Sequence, residues 1–281
     1  MQDGSYFCTM QTKAAIGVFD SGYGGLTVLK EIVEKLPEYD YIYLGDNARA
    51  PYGPRSFETV YQYTLECVQW FFKQGCSLVI LACNTASAKA LRTIQQNDLP
   101  KIDAAKRVLG VIRPTTEIVG NYSETKHVGI LGTTGTVVSN SYPIEIAKFF
   151  PDVKVFQEAC PMWVPLIENN EHQSKGADYF VKKHLKHLMH QSEKIDTVLL
   201  ACTHYPLIKK EISAFYKDKI RIFDSAEVVA RKLELILEIE KLISNKRIAE
   251  DVFYVSDYTK SFERTTNIFY GKEIHLDLHK F

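Results

Sequence analysis

Two short stretches far apart in the chain are nearly the same: Val79–Cys83 reads VILAC and Val198–Cys202 reads VLLAC. Each is a run of apolar, branched residues closed by Ala-Cys and a small polar residue, Asn84 or Thr203. An unbroken apolar run bounded in this way reads as a strand buried on both faces, as in a parallel sheet. A second pair matches at nearly the same offset. Residues 16–28 read IGVFDSGYGGLTV and residues 128–138 read VGILGTTGTVV, each a strand, a small-residue turn and a helix. Two matched pairs at nearly equal offset point to two related halves.

The rest of the pattern agrees. Candidate strands are Ile16–Phe19, Tyr41–Leu44, Leu78–Ala82, Val108–Ile112, Val128–Leu131, Val153–Phe156, Val198–Ala201, Ile220–Phe223 and Val252–Val255. Helical spacing links Leu26, Leu29, Val33 and Leu36, then Phe57, Val60, Tyr61 and Thr64, and later Val228, Val229, Leu233, Ile236 and Ile239. Alternating strands and helices predict an α/β fold of two similar domains, each a mostly parallel sheet flanked by helices and joined by right-handed crossovers. Pro114, which disfavours helix in the residue before it, places the boundary near Ile112–Pro114. The expected division is 1–112 plus 225–281 for the first domain and 113–224 for the second, with the C-terminal segment crossing back to the first half.

Composition narrows the class. The 281 residues are 46% hydrophobic, and 34 Lys plus Arg balance 34 Asp plus Glu. That is ordinary for a globular chain and gives no global attraction for nucleic acid or an anionic membrane. No apolar run approaches the roughly 18 residues of a membrane span, and Met1–Lys13 has no apolar signal core. Cysteines at 8, 67, 76, 83, 160 and 202 include no C-x-x-C pair. This argues against a disulfide framework or structural zinc and for a reducing, cytoplasmic setting.

Chemistry is expected at the carboxyl ends of the strands. In the first half Phe19-Asp20-Ser21-Gly22, Gly45–Gly53 and Cys83–Ser87 fall there, and in the second Gly132–Thr136 and Cys202–Pro206. Each half therefore offers one cysteine at a strand end just before a helix, where the dipole and free N–H groups favour thiolates and carboxylates. Two thiols in matched halves suit racemisation, which needs a base on one face of a carbon and an acid on the other. Asp20 is the ionisable neighbour expected for Cys83, and His204 for Cys202. No dinucleotide or Walker fingerprint is present: Gly22–Gly25 lacks the G-x-G-x-x-G spacing.

The set FDSGxGG, GDxxxxPYG, CNTAS, GTxxTV and ACTHYP resembles the glutamate racemases, over about residues 14–270. The resemblance implies two α/β domains with the active site between them, and a cofactor-independent enzyme supplying D-glutamate for peptidoglycan. It implies Cys83 and Cys202 as the acid/base thiols, Cys83 acting on the D and Cys202 on the L enantiomer, with Asp20, His204 and Glu168 as flanking catalytic groups. It implies substrate contacts from Asp20, Ser21, Tyr52, Gly53, Asn84, Thr85, Thr133, Thr136, Thr203 and His204. A homodimer is expected, as in many members, but no membrane or nucleic-acid partner. The short N-terminal extension suggests no site for an activating cell-wall precursor.

Plainer readings stand beside these. Cys8, Cys67, Cys76 and Cys160 are expected to be buried structural or incidental thiols. Trp70 reads as core, and Trp163 as core or cleft border. His184, His187 and His190 form H-x-x-H-x-x-H among lysines, read as a solvated helix face in preference to a zinc site, so no metal is expected. The competing functions are an aspartate or other acidic amino-acid racemase, a non-catalytic ligand-binding protein on the same scaffold, and a cysteine hydrolase. Against the first, His204 stands where aspartate-specific relatives usually carry Glu. The last gives no reason for a second cysteine.

Overall fold

A computed structural model of the protein describes residues 15–240 and 247–281. The Met1–Lys13 segment and Cys8 lie outside the described residues. Among the described residues ten strands build two sheets. The first contains β1 (Ile16–Asp20), β2 (Tyr41–Gly45), β3 (Leu78–Leu81), β4 (Arg107–Gly110), β9 (Val252–Val255) and β10 (Asp277–Leu278), in the order β10-β9-β2-β1-β3-β4. The second contains β5 (His127–Gly132), β6 (Lys154–Ala159), β7 (Thr197–Ala201) and β8 (Arg221–Asp224), in the order β6-β5-β7-β8. Every pairing is parallel.

Aligning the matched strands shows one topology used twice: β2-β1-β3-β4 has the order of β6-β5-β7-β8. The VILAC and VLLAC segments supply β3 and β7, equivalent positions in the two sheets. Strands β1, β2, β3 and β7 are buried along their whole length, because helices cover both faces. Each apolar side chain so buried contributes about 1.5–3 kcal/mol. The edge strands β6 and β8 are only partly covered.

Helices begin and end where local chemistry directs. The helix Gly25–Lys35 buries Leu26, Leu29 and Ile32, and stops at Leu36, the residue before Pro37. The helix Phe57–Lys73 starts at Ser56, whose hydroxyl accepts the Thr59 N–H, and is followed by Gly75 in the left-handed region (φ 91°). The helix Ala226–Glu240 packs on Gly25–Lys35, and β9 then pairs with β2. The C-terminal segment thus returns to the first sheet.

Some local expectations are corrected. The fourth strand ends at Gly110, not Ile112, and Arg113-Pro114 lie within a short helix, Ile112–Thr116. Proline is tolerated there because the first turn of a helix has no internal use for its N–H. Strand β10, two residues long, has too short a pattern to read. Trp163 is core, 1% exposed, with its ring edge-on to Tyr205.

Candidate active site

In both sheets the first strand lies between the second and third, so successive connections leave toward opposite sides. The carboxyl end of such a switch point is where open α/β sheets bind ligands. Asp20 ends β1 and Cys83 follows β3. Gly132 ends β5 with Thr133 directly after it, and Cys202 follows β7.

The two ends meet around a cavity of about 170 Å³. This is smaller than the 300–1,000 Å³ usual for drug-sized ligands and suits a small metabolite. Cys83 and Cys202 both line it, with Ser21, Tyr52, Gly53, Asn84, Thr85, Thr133, Thr203, His204 and Glu168. Asp20 and Thr136, expected to touch substrate, are not part of its lining. Asp20 is 1% exposed and lies behind the wall, one oxygen accepting the Gly22 N–H at 2.9 Å. Thr136 is fully buried, with its hydroxyl 3.1 Å from that of Thr133, which it props. The Tyr52 hydroxyl is taken up by Asp46.

Bonds across the two sheets set the wall. The Thr85 and Thr133 hydroxyls are 2.9 Å apart, Thr27 donates to the Thr203 carbonyl at 3.0 Å, and Tyr142 donates to Asn84 Oδ1 at 2.6 Å. Asn84 is thereby oriented, and its buried Nδ2 has no protein partner. An orphaned donor in a cavity wall is a ligand contact in waiting.

The thiols differ in surroundings. Cys83 caps the helix Asn84–Lys89: its sulfur accepts the Ala86 N–H at 3.4 Å and lies 3.2 Å from the Ser21 hydroxyl. Burial, and then the charge of Asp20, pushes the Cys83 thiol up to about 12 against those two contacts. Cys202 does not cap a helix as expected, since a turn separates it from the short 3₁₀ helix Tyr205–Ile208. Its partner is His204, with Nδ1 3.9 Å from the sulfur, while His204 Nε2 donates to Glu168 Oε1 at 2.9 Å. Burial alone would lower the His204 pKa. The bonds to Cys202 and Glu168 and the negative charge of both outweigh it and raise the imidazole to about 10. The ring of Phe269, from the C-terminal segment, packs edge-on against His204.

Gly24 makes this contact between halves feasible. A Cβ there would sit 2.2 Å from Thr203 Oγ1 and 2.4 Å from His204 Nδ1. Gly24→Ala is expected to cost about 1–3 kcal/mol, read by urea unfolding, and to displace the imidazole from Cys202. Unchanged stability and activity would show that the loop yields freely.

Some lining residues were not foreseen. Cys160, read as structural or incidental, lies on the cavity wall after β6, as do Pro161, Val164 and Pro165. Its place after an edge strand beside β5 was the available signal. Phe269 offered none, because its approach depends on how the C-terminal segment folds back.

Residues 16–233 match the model of the Asp/Glu/Hydantoin racemase family. The chain belongs to that family. It is 38% identical to the glutamate racemase of Persephonella marina, over 94% of this chain and 96% of that one. Among solved structures, a glutamate racemase isoform from Bacillus anthracis has a TM-score of 0.88 and 33% identity, covering 95% of this chain and 97% of its own. The glutamate racemase of Francisella tularensis in complex with D-glutamate has a TM-score of 0.86 and 32% identity, covering 95% and 98%. No helix among the described residues is long and apolar enough to cross a membrane.

Proposed function

We propose that this enzyme interconverts L- and D-glutamate by moving a proton between two thiols across the substrate α-carbon, without a cofactor. One observation carries the reading: Cys83 and Cys202, at equivalent strand ends of two like-ordered sheets, line the same small cavity. The similar glutamate racemases support glutamate as substrate, as does His204 following Cys202-Thr203.

In the resting enzyme Cys83 keeps its proton at neutral pH, whereas Cys202 faces an imidazolium held by Glu168. This form is set to accept L-glutamate. The Cys202 thiolate takes the α-proton, the Cα–H electron pair passes to the substrate carbon, and the Cys83 thiol delivers its proton to the opposite face. D-glutamate leaves the two thiols with their protonation exchanged. Asp20 and His204 are the groups through which each thiol recovers its starting state. Asn84 Nδ2, Ser21, Thr85, Thr133 and Thr203 supply polar contacts for the carboxylates and ammonium. In this reading 1–112 with 225–281 and 113–224 are the two working domains. The enzyme acts in the cytoplasm, as a pair of like chains, to supply D-glutamate for peptidoglycan.

Proton NMR in D₂O, with L-glutamate, D-glutamate and L-aspartate in separate samples and no cofactor added, tests the proposal. Loss of the α-proton signal is expected for both glutamates, with the opposite enantiomer appearing on chiral analysis. Exchange on aspartate alone would move the specificity, and none on any of the three would overturn the reaction.

A further inference from the structure

The helix Lys175–Gln191 carries the histidine run, and its structure departs from the solvated face expected of it. Ser174 caps the helix, and Ala177, Val181, His184, Leu185 and Leu188 form its buried stripe. His184 is therefore turned inward, 7% exposed, and its ring stands edge-on to Trp163. His187, one turn later on the same side, is about half exposed, its side chain 53% accessible. Both reach one acceptor on the neighbouring strand β6. His184 Nδ1 lies 2.7 Å and His187 Nδ1 3.3 Å from Glu158 Oε1.

We propose that Glu158, His184 and His187 form a binding site for a divalent transition metal ion of the zinc class. Their ligand atoms all lie within 4.8 Å of one another. Two imidazole nitrogens and one carboxylate are a donor set such ions take, with water completing a tetrahedron. Bonds of about 2.0–2.2 Å set the ligand atoms roughly 3.3 Å apart in that geometry. The His187–Glu158 edge already has this length, and the shorter His184–Glu158 edge opens by a small swing of a carboxylate that is itself partly exposed. The ion takes the place of the protons at Nδ1 between the rings and Glu158, each neutral imidazole carrying its single proton on Nε2 once the metal is bound.

The site is separate from the cavity between the thiols, since none of its three residues lines that cavity. It nevertheless touches the scaffold of the cavity. Glu158 stands two residues before Cys160 on the wall, and Trp163, against His184, opens the helix Trp163–Glu168 that ends in the partner of His204. Occupancy ties β6 to the helix Lys175–Gln191 at that point.

Cobalt(II) is the probe that distinguishes this site from the cysteines. The purified full-length chain, titrated with Co²⁺ under reducing conditions, is expected to bind one equivalent. Its visible absorption should be that of a low-coordinate nitrogen–oxygen site, without the near-ultraviolet band of a cobalt–thiolate bond. His187→Ala and Glu158→Gln should each weaken binding at least about tenfold. His187 is exposed enough for its variant to fold normally, which circular dichroism checks. A parallel melt should show that Zn²⁺ raises the unfolding temperature of the parent and leaves that of His187→Ala unchanged. A thiolate band, equal binding by both variants, or no uptake from an excess of Co²⁺ would overturn the proposal.

Discussion

Cys83→Ser and Cys202→Ser are each expected to lower racemisation in both directions by about 10²–10⁴-fold, the usual worth of a positioned acid or base. Serine keeps the size and hydrogen-bonding habit of the thiol but ionises far less readily. Each turnover uses one residue as base and the other as acid, so losing either stops the full exchange whichever enantiomer enters. Chiral chromatography of reactions started from each enantiomer measures this, with circular dichroism confirming the fold. Either variant remaining within about tenfold of the parent would sink the two-thiol reading. Cys160→Ala is the informative contrast. That thiol also lines the cavity, but burial, then the charges of Glu158 and Cys202, hold its pKa well above the usual range. It has no activating partner, and its variant should keep most of the activity.

Asp20→Asn should make the protein more stable near neutral pH while making it a worse enzyme. Burial raises the Asp20 carboxyl from 3.8 to about 6, even against the attraction of His204. The folded state therefore holds this proton more tightly than the unfolded chain does. The associated stability is fully present below the unfolded value near 3.8 and is lost as pH rises through about 6. Above that, the native protein carries a buried carboxylate with one oxygen unpaired. A rise from 3.8 to about 6 corresponds to about 3 kcal/mol at most. Asparagine keeps a carbonyl oxygen for the Gly22 N–H and removes the charge. Urea unfolding at pH 7.5 and at pH 4 should show an advantage for the variant at the first and none at the second. A variant less stable at pH 7.5, or equally advantaged at both, would mean that Asp20 is not held there at a cost. A strained or costly charge kept at such a position is what functional sites commonly retain.

His204 has the same direction of pH dependence, although here it is the charged form that the fold favours. Its raised pKa means stability that is fully present below about 6.5 and lost as pH rises through about 10. The two groups together leave a neutral window in which Asp20 is ionised and His204 protonated, the state the proposed exchange needs.

Much of this was legible in the residues because parallel strands buried on both faces write unbroken apolar runs. The duplicated VILAC and VLLAC, and the paired strand–turn–helix openings, were enough for two related halves, and the apolar runs along the chain for the α/β class and nine of the strands. Cys83, Cys202, His204 and the Ser/Thr/Asn loops followed because ligands gather at strand ends and those residue types stood there. What stayed hidden depended on distance in space. Nothing local says that Thr136 is walled off behind Thr133, that Asp20 sits beneath the cavity, or that Cys160 faces it. Phe269 reaches His204 only because the C-terminal segment returns to the first sheet, and H-x-x-H-x-x-H shows its inward member only once Glu158 and Trp163 are packed against it. Periodicity and strand-end chemistry are local properties, readable from one stretch of chain at a time. Burial, charge pairing and the shape of a cavity come from residues far apart in sequence, and only the packed sheets decide them.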